Sequence, residues 1–140
     1  MKPALSTKER KAMLADLLSE YVFIITPFIF LVAIKLYAAS WREILMAPDW
    51  SLVSCIIFGQ ISVRMSRAAI KHPNMDDRQF GFYSAKRFFL VAASLLFYFG
   101  MVAQPGIYLG VGQIGLFTLA SIFHFKDGIA SRILDSKSSS

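Results

Sequence analysis

Residues 49 to 71 read DWSLVSCIIFGQISVRMSRAAIK, and the topology of the chain turns on this stretch. Trp50 to Val63 is fourteen residues without a charge. As a helix that run is only about 21 Å long, short of the ~30 Å hydrocarbon core of a bilayer. Carried on through Ile70 the helix reaches about 31 Å, but it then includes Arg64 and Arg67. Long basic side chains near a helix end extend to the headgroup level, so both fit the last turns of a span. The stretch is therefore read as one spanning helix over 49–71. The alternative is a re-entrant or in-plane segment.

Three further apolar runs surround it. Tyr21 to Ala39 is nineteen residues with one charge, Lys35. Phe88 to Ala103 is sixteen uncharged residues, and Ile107 to Phe125 is nineteen more with His124 near the end. These predict spans over about 21–39, 84–103 and 106–125. The fold class expected is all-α and integral to the membrane, with four transmembrane helices in two antiparallel hairpins. Pro105-Gly106 suits the centre of a type II turn, which predicts a tight second hairpin.

Charge supplies the orientation. Thirteen of the 15 basic residues fall in three segments: the N-terminal tail, the stretch from Arg64 to Arg87, and residues 126–140. Only Lys35 and Arg42 fall elsewhere. The positive-inside rule places the three rich segments in the cytoplasm. Four spans with both termini inside gather them on one side. The expected location is the cell inner membrane. A cleaved signal peptide fits poorly, because residues 1–20 contain Glu9, Asp16 and Glu20 and the apolar run exceeds the usual core.

Composition agrees with this reading. The chain of 140 residues is 56% hydrophobic and 17% charged, with mean hydropathy +0.54. A soluble domain is about 45–50% apolar and about 25% charged. Disorder requires low hydrophobicity, and one cysteine, Cys55, makes no disulfide scaffold.

The flanks carry their own signals. Ser6-Thr7-Lys8-Glu9 fits a capping box. Met13, Leu14, Leu17, Leu18 and Tyr21 then mark one helical face. Residues 1–20 are expected to form a cytoplasmic amphipathic helix that either lies in the interface or extends the first span and packs on its own bundle. Pro27 predicts a kink in the first span. Trp41 and Trp50 bracket the outer loop at the level of an aromatic belt. Residues 126–140 are expected to be a flexible cytoplasmic tail.

A catalytic set needs a nucleophile, a base and an orienting group that converge. None is recognisable, no nucleotide or metalloprotease motif occurs, and no acid, base or histidine lies at mid-membrane depth. The expectation is a non-enzymatic protein without cofactor or metal. His72, Asp76 and Asp77 are the best local ligand cluster, but Pro73 interrupts any shared helical face. Cys55 reads as a small buried hydrophobe.

Three sets of residues remain as candidates. Arg64, Arg67 and Lys71 are spaced to share a helix face, with Lys86 and Arg87 opening the third span nearby. They predict a basic cytosolic face that docks anionic lipid or an acidic protein partner, and not a nucleic acid. Gly110, Gly112 and Gly115 predict close helix packing or a homo-oligomer interface in the fourth span. Gln60 and Gln113 predict interhelical hydrogen bonds or, in the alternative reading, the polar lining of a small channel, pore-forming effector or transporter. In architecture the chain is similar to many small bacterial inner-membrane proteins, including membrane components of phage-defence operons. That likeness implies an anchor, sensor or accessory subunit, and no motif carries residue roles across.

Overall fold

A computed structural model describes residues 6–38, 40–71 and 76–138. It is all-helical over those residues. The elements are α1 (Thr7–Ala38), α2 (Trp41–Leu45), α3 (Asp49–Ile70), α4 (Asp77–Ala103) and α5 (Ile107–Ser138). Four helical segments among the described residues are long and apolar enough to cross a membrane: Thr7–Ala38, Trp41–Ile70, Asp77–Ala103 and Ile107–Ser136. Their outer faces carry bare apolar side chains, with Phe23 78% and Leu96 72% exposed. Lipid is the solvent in which such faces cost nothing.

Local chemistry sets the ends. The capping box forms at the start of α1: the Ser6 amide donates to Glu9 Oε2 at 2.8 Å, and the Glu9 amide donates to Ser6 Oγ at 3.3 Å. Asp76 caps α4 by accepting from the Arg78 amide at 3.0 Å. Helix α4 therefore begins at Asp77, ahead of the apolar run that predicts its span. Helix α1 continues through Pro27, and Thr26 Oγ1 there donates to the Val22 carbonyl at 2.6 Å.

Among the described residues neither flank is a separate piece. Residues 7–20 continue into the first apolar run, as one of the two readings has it, because α1 runs unbroken from Thr7 to Ala38. Described residues from 126 onward are not a tail, because α5 runs unbroken to Ser138. Each helix has 32 residues, or about 48 Å, so each exceeds a ~30 Å core by several turns. The two antiparallel extensions stabilise each other. Leu17 is fully buried, and Gly128 admits it so closely that a Cβ on Gly128 would overlap the Leu17 side chain. The Tyr21 and Ser121 hydroxyls hydrogen-bond at 2.7 Å, and His124 Nε2 meets the Leu17 carbonyl at 3.1 Å.

The bundle is organised around α3. Its widest contacts are with α4 and α5, whereas the pairs expected as hairpins, α1 with α3 and α4 with α5, share less surface. Val53, Ile57, Phe58 and Ile61 of α3 form the core with Phe28 of α1 and Ala120 of α5. Phe28, Trp50 and Phe117 close it toward α2, with ring centroids 4.6 to 5.8 Å apart. Trp50 is thus half-buried against the core, while Trp41 is 72% exposed.

Candidate functional site

Helix α3 brings Arg64, Arg67 and Lys71 into one open groove of about 870 Å³. Glu20, Phe23 and Ile24 of α1 form its facing wall, and Asp135 of α5 stands at its polar end. Farther along α3 the lining becomes Val63, Gln60, Gly59 and Ile56. The groove is charged at one end and mostly apolar along the rest. That gradient follows from helix direction: α1 enters and α3 leaves at the same end, so Glu20 and Arg64 lie level.

Ion pairs occupy part of the charged end. Arg64 pairs with Glu20. Arg132 of α5 bonds the other Glu20 oxygen and Asp16 Oδ2, each at 2.9 Å. One carboxylate therefore serves two guanidiniums. Lys71 reaches Asp135 at 3.2 Å across an exposed contact. Arg67 is exposed and has no ion-pair partner among the described residues. Arg64 Nη1 is buried without a hydrogen-bond partner, next to Gly128.

The five predicted docking cations do not form one face. Arg87 is buried: its Nε and Nη2 bond Asp127 Oδ2 at 2.8 and 2.7 Å. The Tyr83 hydroxyl donates to the same oxygen at 2.6 Å, and the Phe123 ring centroid lies 4.0 Å from the guanidinium. Arg87 is a structural cation and is withdrawn as a docking residue. Lys86 lies 4.4 Å from the centroid of the Phe82 ring, in a second, apolar groove shared by α4 and α5.

Gln60 and Gln113 are also separated. Gln60 is exposed in the groove wall. Gln113 is fully buried at the α2 end of the bundle, where its Nε2 donates to the Leu45 and Ala47 carbonyls at 3.0 and 2.7 Å. Its Oε1 accepts from Ser51 Oγ at 2.9 Å. The amide satisfies carbonyls that the end of α2 leaves open, and it pins that loop to α3 and α5. The two glutamines line no common path.

The glycines divide similarly. A Cβ on Gly110 would lie 3.1 Å from the Leu45 carbonyl oxygen, and one on Gly112 would overlap Phe97. Both serve packing within the chain. Gly115 has nothing within 4 Å of the Cβ position. His72 lies outside the described residues. Among the described residues no three His, Cys, Asp or Glu side chains gather as metal ligands.

Sequence reasoning missed Asp127, Glu20, Arg132 and Gly128. The acids and Arg132 gave no local signal, since their partners lie 40 or more positions away. No family model, no curated protein and no solved structure matches the chain. What the protein does must be read from its own residues.

Proposed function

We propose that this is a small non-enzymatic multi-pass protein of the inner membrane that uses a basic cytosolic face to engage anionic lipid or an acidic partner. Both termini are cytoplasmic, and the protein acts as an anchor, sensor or accessory subunit. The observation that carries the reading is the groove between α1 and α3. Arg67 stands in it exposed and unpaired among the described residues, and Lys71 has only a solvent-exposed partner. Glu20 and Arg64 of the same groove, with Asp16 and Arg132 beside them, compensate one another in ion pairs. Four apolar helices support the membrane setting, and the basic bias of the same end supports its cytoplasmic orientation. A homo-oligomer is proposed through the part of α5 around Gly115, whose open Cβ position leaves room for close approach by another helix.

The test replaces Arg67 and Lys71 with Gln in the full chain. Recovery of co-purifying acidic protein and of anionic phospholipid is then compared with the parent. Loss of either is the expected result. Unchanged recovery of both refutes the basic-face reading.

A further inference from the structure

We propose that the groove between α1 and α3 is a seat for one anionic glycerophospholipid of the cytoplasmic leaflet. Its phosphate sits at Arg67 and Lys71, and an acyl chain lies over Phe23, Ile56 and Gly59. The inference rests on the membrane reading above and goes beyond a diffuse basic face, because it assigns one occupant to one cavity.

Three observations meet in this assignment. The first is depth. From Arg67 to Ile56 along α3 is eleven positions, or about 16 Å of helix. Half of a ~30 Å hydrocarbon core is about 15 Å, so the groove measures one leaflet. The second is polarity. Charged side chains lie only at the Arg67 end, and the opposite end offers Phe23, Ile56 and the bare backbone of Gly59. An acidic peptide would satisfy the cations and leave the apolar stretch unexplained. A phospholipid matches both parts in the same order.

The third is charge. The cations Arg64, Arg67, Lys71 and Arg132 meet the acids Asp16, Glu20 and Asp135 at this end. Among these described residues one positive charge is in excess, which equals the single charge of a phosphodiester. Arg67 is its natural position, being exposed and unpaired among the described residues. Gly59 completes the seat: a Cβ there meets nothing within 4 Å, so the floor of the groove is open where a chain would pass.

The full chain, purified in mild detergent, is titrated with phosphatidylglycerol or with phosphatidylcholine of the same acyl chains. Bound lipid is counted by native mass spectrometry. The expected result is one retained phosphatidylglycerol per protomer, held at least about fivefold better than phosphatidylcholine. Arg67→Gln lowers retention about fivefold, as expected for one cation near a membrane surface. Gly59→Phe fills the open floor and removes the retained lipid. Val63→Trp, from a side chain that is already 53% exposed in the same wall, does the same if Gly59→Phe disturbs folding. Leu96→Trp, on an exposed position outside the groove, changes nothing.

Retention that falls with Arg67→Gln but survives both groove-filling variants overturns the seat and leaves the basic face standing. Equal retention of the two lipids, unchanged by Arg67→Gln, overturns the seat and the lipid form of that reading together. Displacement of phosphatidylglycerol by an acidic peptide at equal concentration overturns the lipid in favour of a protein partner.

Discussion

Removing either partner of the buried Arg87–Asp127 pair should cost the fold heavily, and removing both together should restore most of the loss. The two side chains are 8% and 9% exposed. Three donors converge on Asp127 Oδ2: Arg87 Nε, Arg87 Nη2 and the Tyr83 hydroxyl, at 2.8, 2.7 and 2.6 Å. Asp127→Leu leaves the buried guanidinium without a counter-charge, beside two aromatic faces and a Tyr83 hydroxyl 3.3 Å from its Nε. Breaking a buried pair from one side costs about 3–5 kcal/mol, whereas replacing both partners with apolar groups is often neutral. Arg87→Met should therefore cost about as much as Asp127→Leu. The double variant should lie within about 1 kcal/mol of the parent. The coupling between the sites is then about 3 kcal/mol or more, the signature of a direct contact. Unfolding by sodium dodecyl sulfate in mixed micelles measures it, with Trp50 of the aromatic trio as the fluorescent reporter. Single variants that each cost under about 1 kcal/mol, or a double variant as unstable as their sum, would refute the reasoning.

Gln113→Leu should lose about 2 kcal/mol in the same assay, because it strips the Leu45 and Ala47 carbonyls of their donor; an unchanged midpoint would return Gln113 to the candidate linings. Gly112→Ala should destabilise by about 1 kcal/mol or more through Phe97. Gly115→Ala should be neutral for folding, while Gly115→Leu should weaken cross-linking between protomers if α5 meets its copy there. Tyr83→Phe should cost about 1.5 kcal/mol for its hydrogen bond to a charged oxygen.

What was legible in the sequence was local. Four apolar runs announce four long helices, because length and hydropathy are properties of contiguous residues. Ser6 and Glu9 announce their capping box for the same reason. Of the two helix extensions, the first was open between an interfacial helix and a continuation of the first span and the second read as a tail, because both are polar enough to pass for surface segments. Leu17 and Gly128 show why they are helix: they pack against each other from opposite ends of the chain. Arg87 read as an open cation because Asp127, forty positions away, is invisible to any periodicity. For Gln113 the apolar run predicts interhelical hydrogen bonds, and Ser51 of α3 does donate to it, but the partners of its Nε2 are not legible. Those partners are carbonyls exposed by a short helix, α2, that no hydrophobic pattern marks. The groove itself was half legible: the spacing of Arg64, Arg67 and Lys71 set one wall, but the facing Glu20, Phe23 and Ile24 depend on how α1 packs.

The central claim is that the charged end of the groove opens toward the cytoplasm from a membrane-spanning bundle. It is tested most directly by single cysteines placed in a Cys55→Ser background. Glu43→Cys precedes the N-terminus of α3, and Gln79→Cys lies in the first turn of α4; both positions are exposed. An impermeant maleimide applied to intact cells should label Glu43→Cys and leave Gln79→Cys unlabelled until the membrane is opened. Labelling of Gln79→Cys in intact cells would contradict the account.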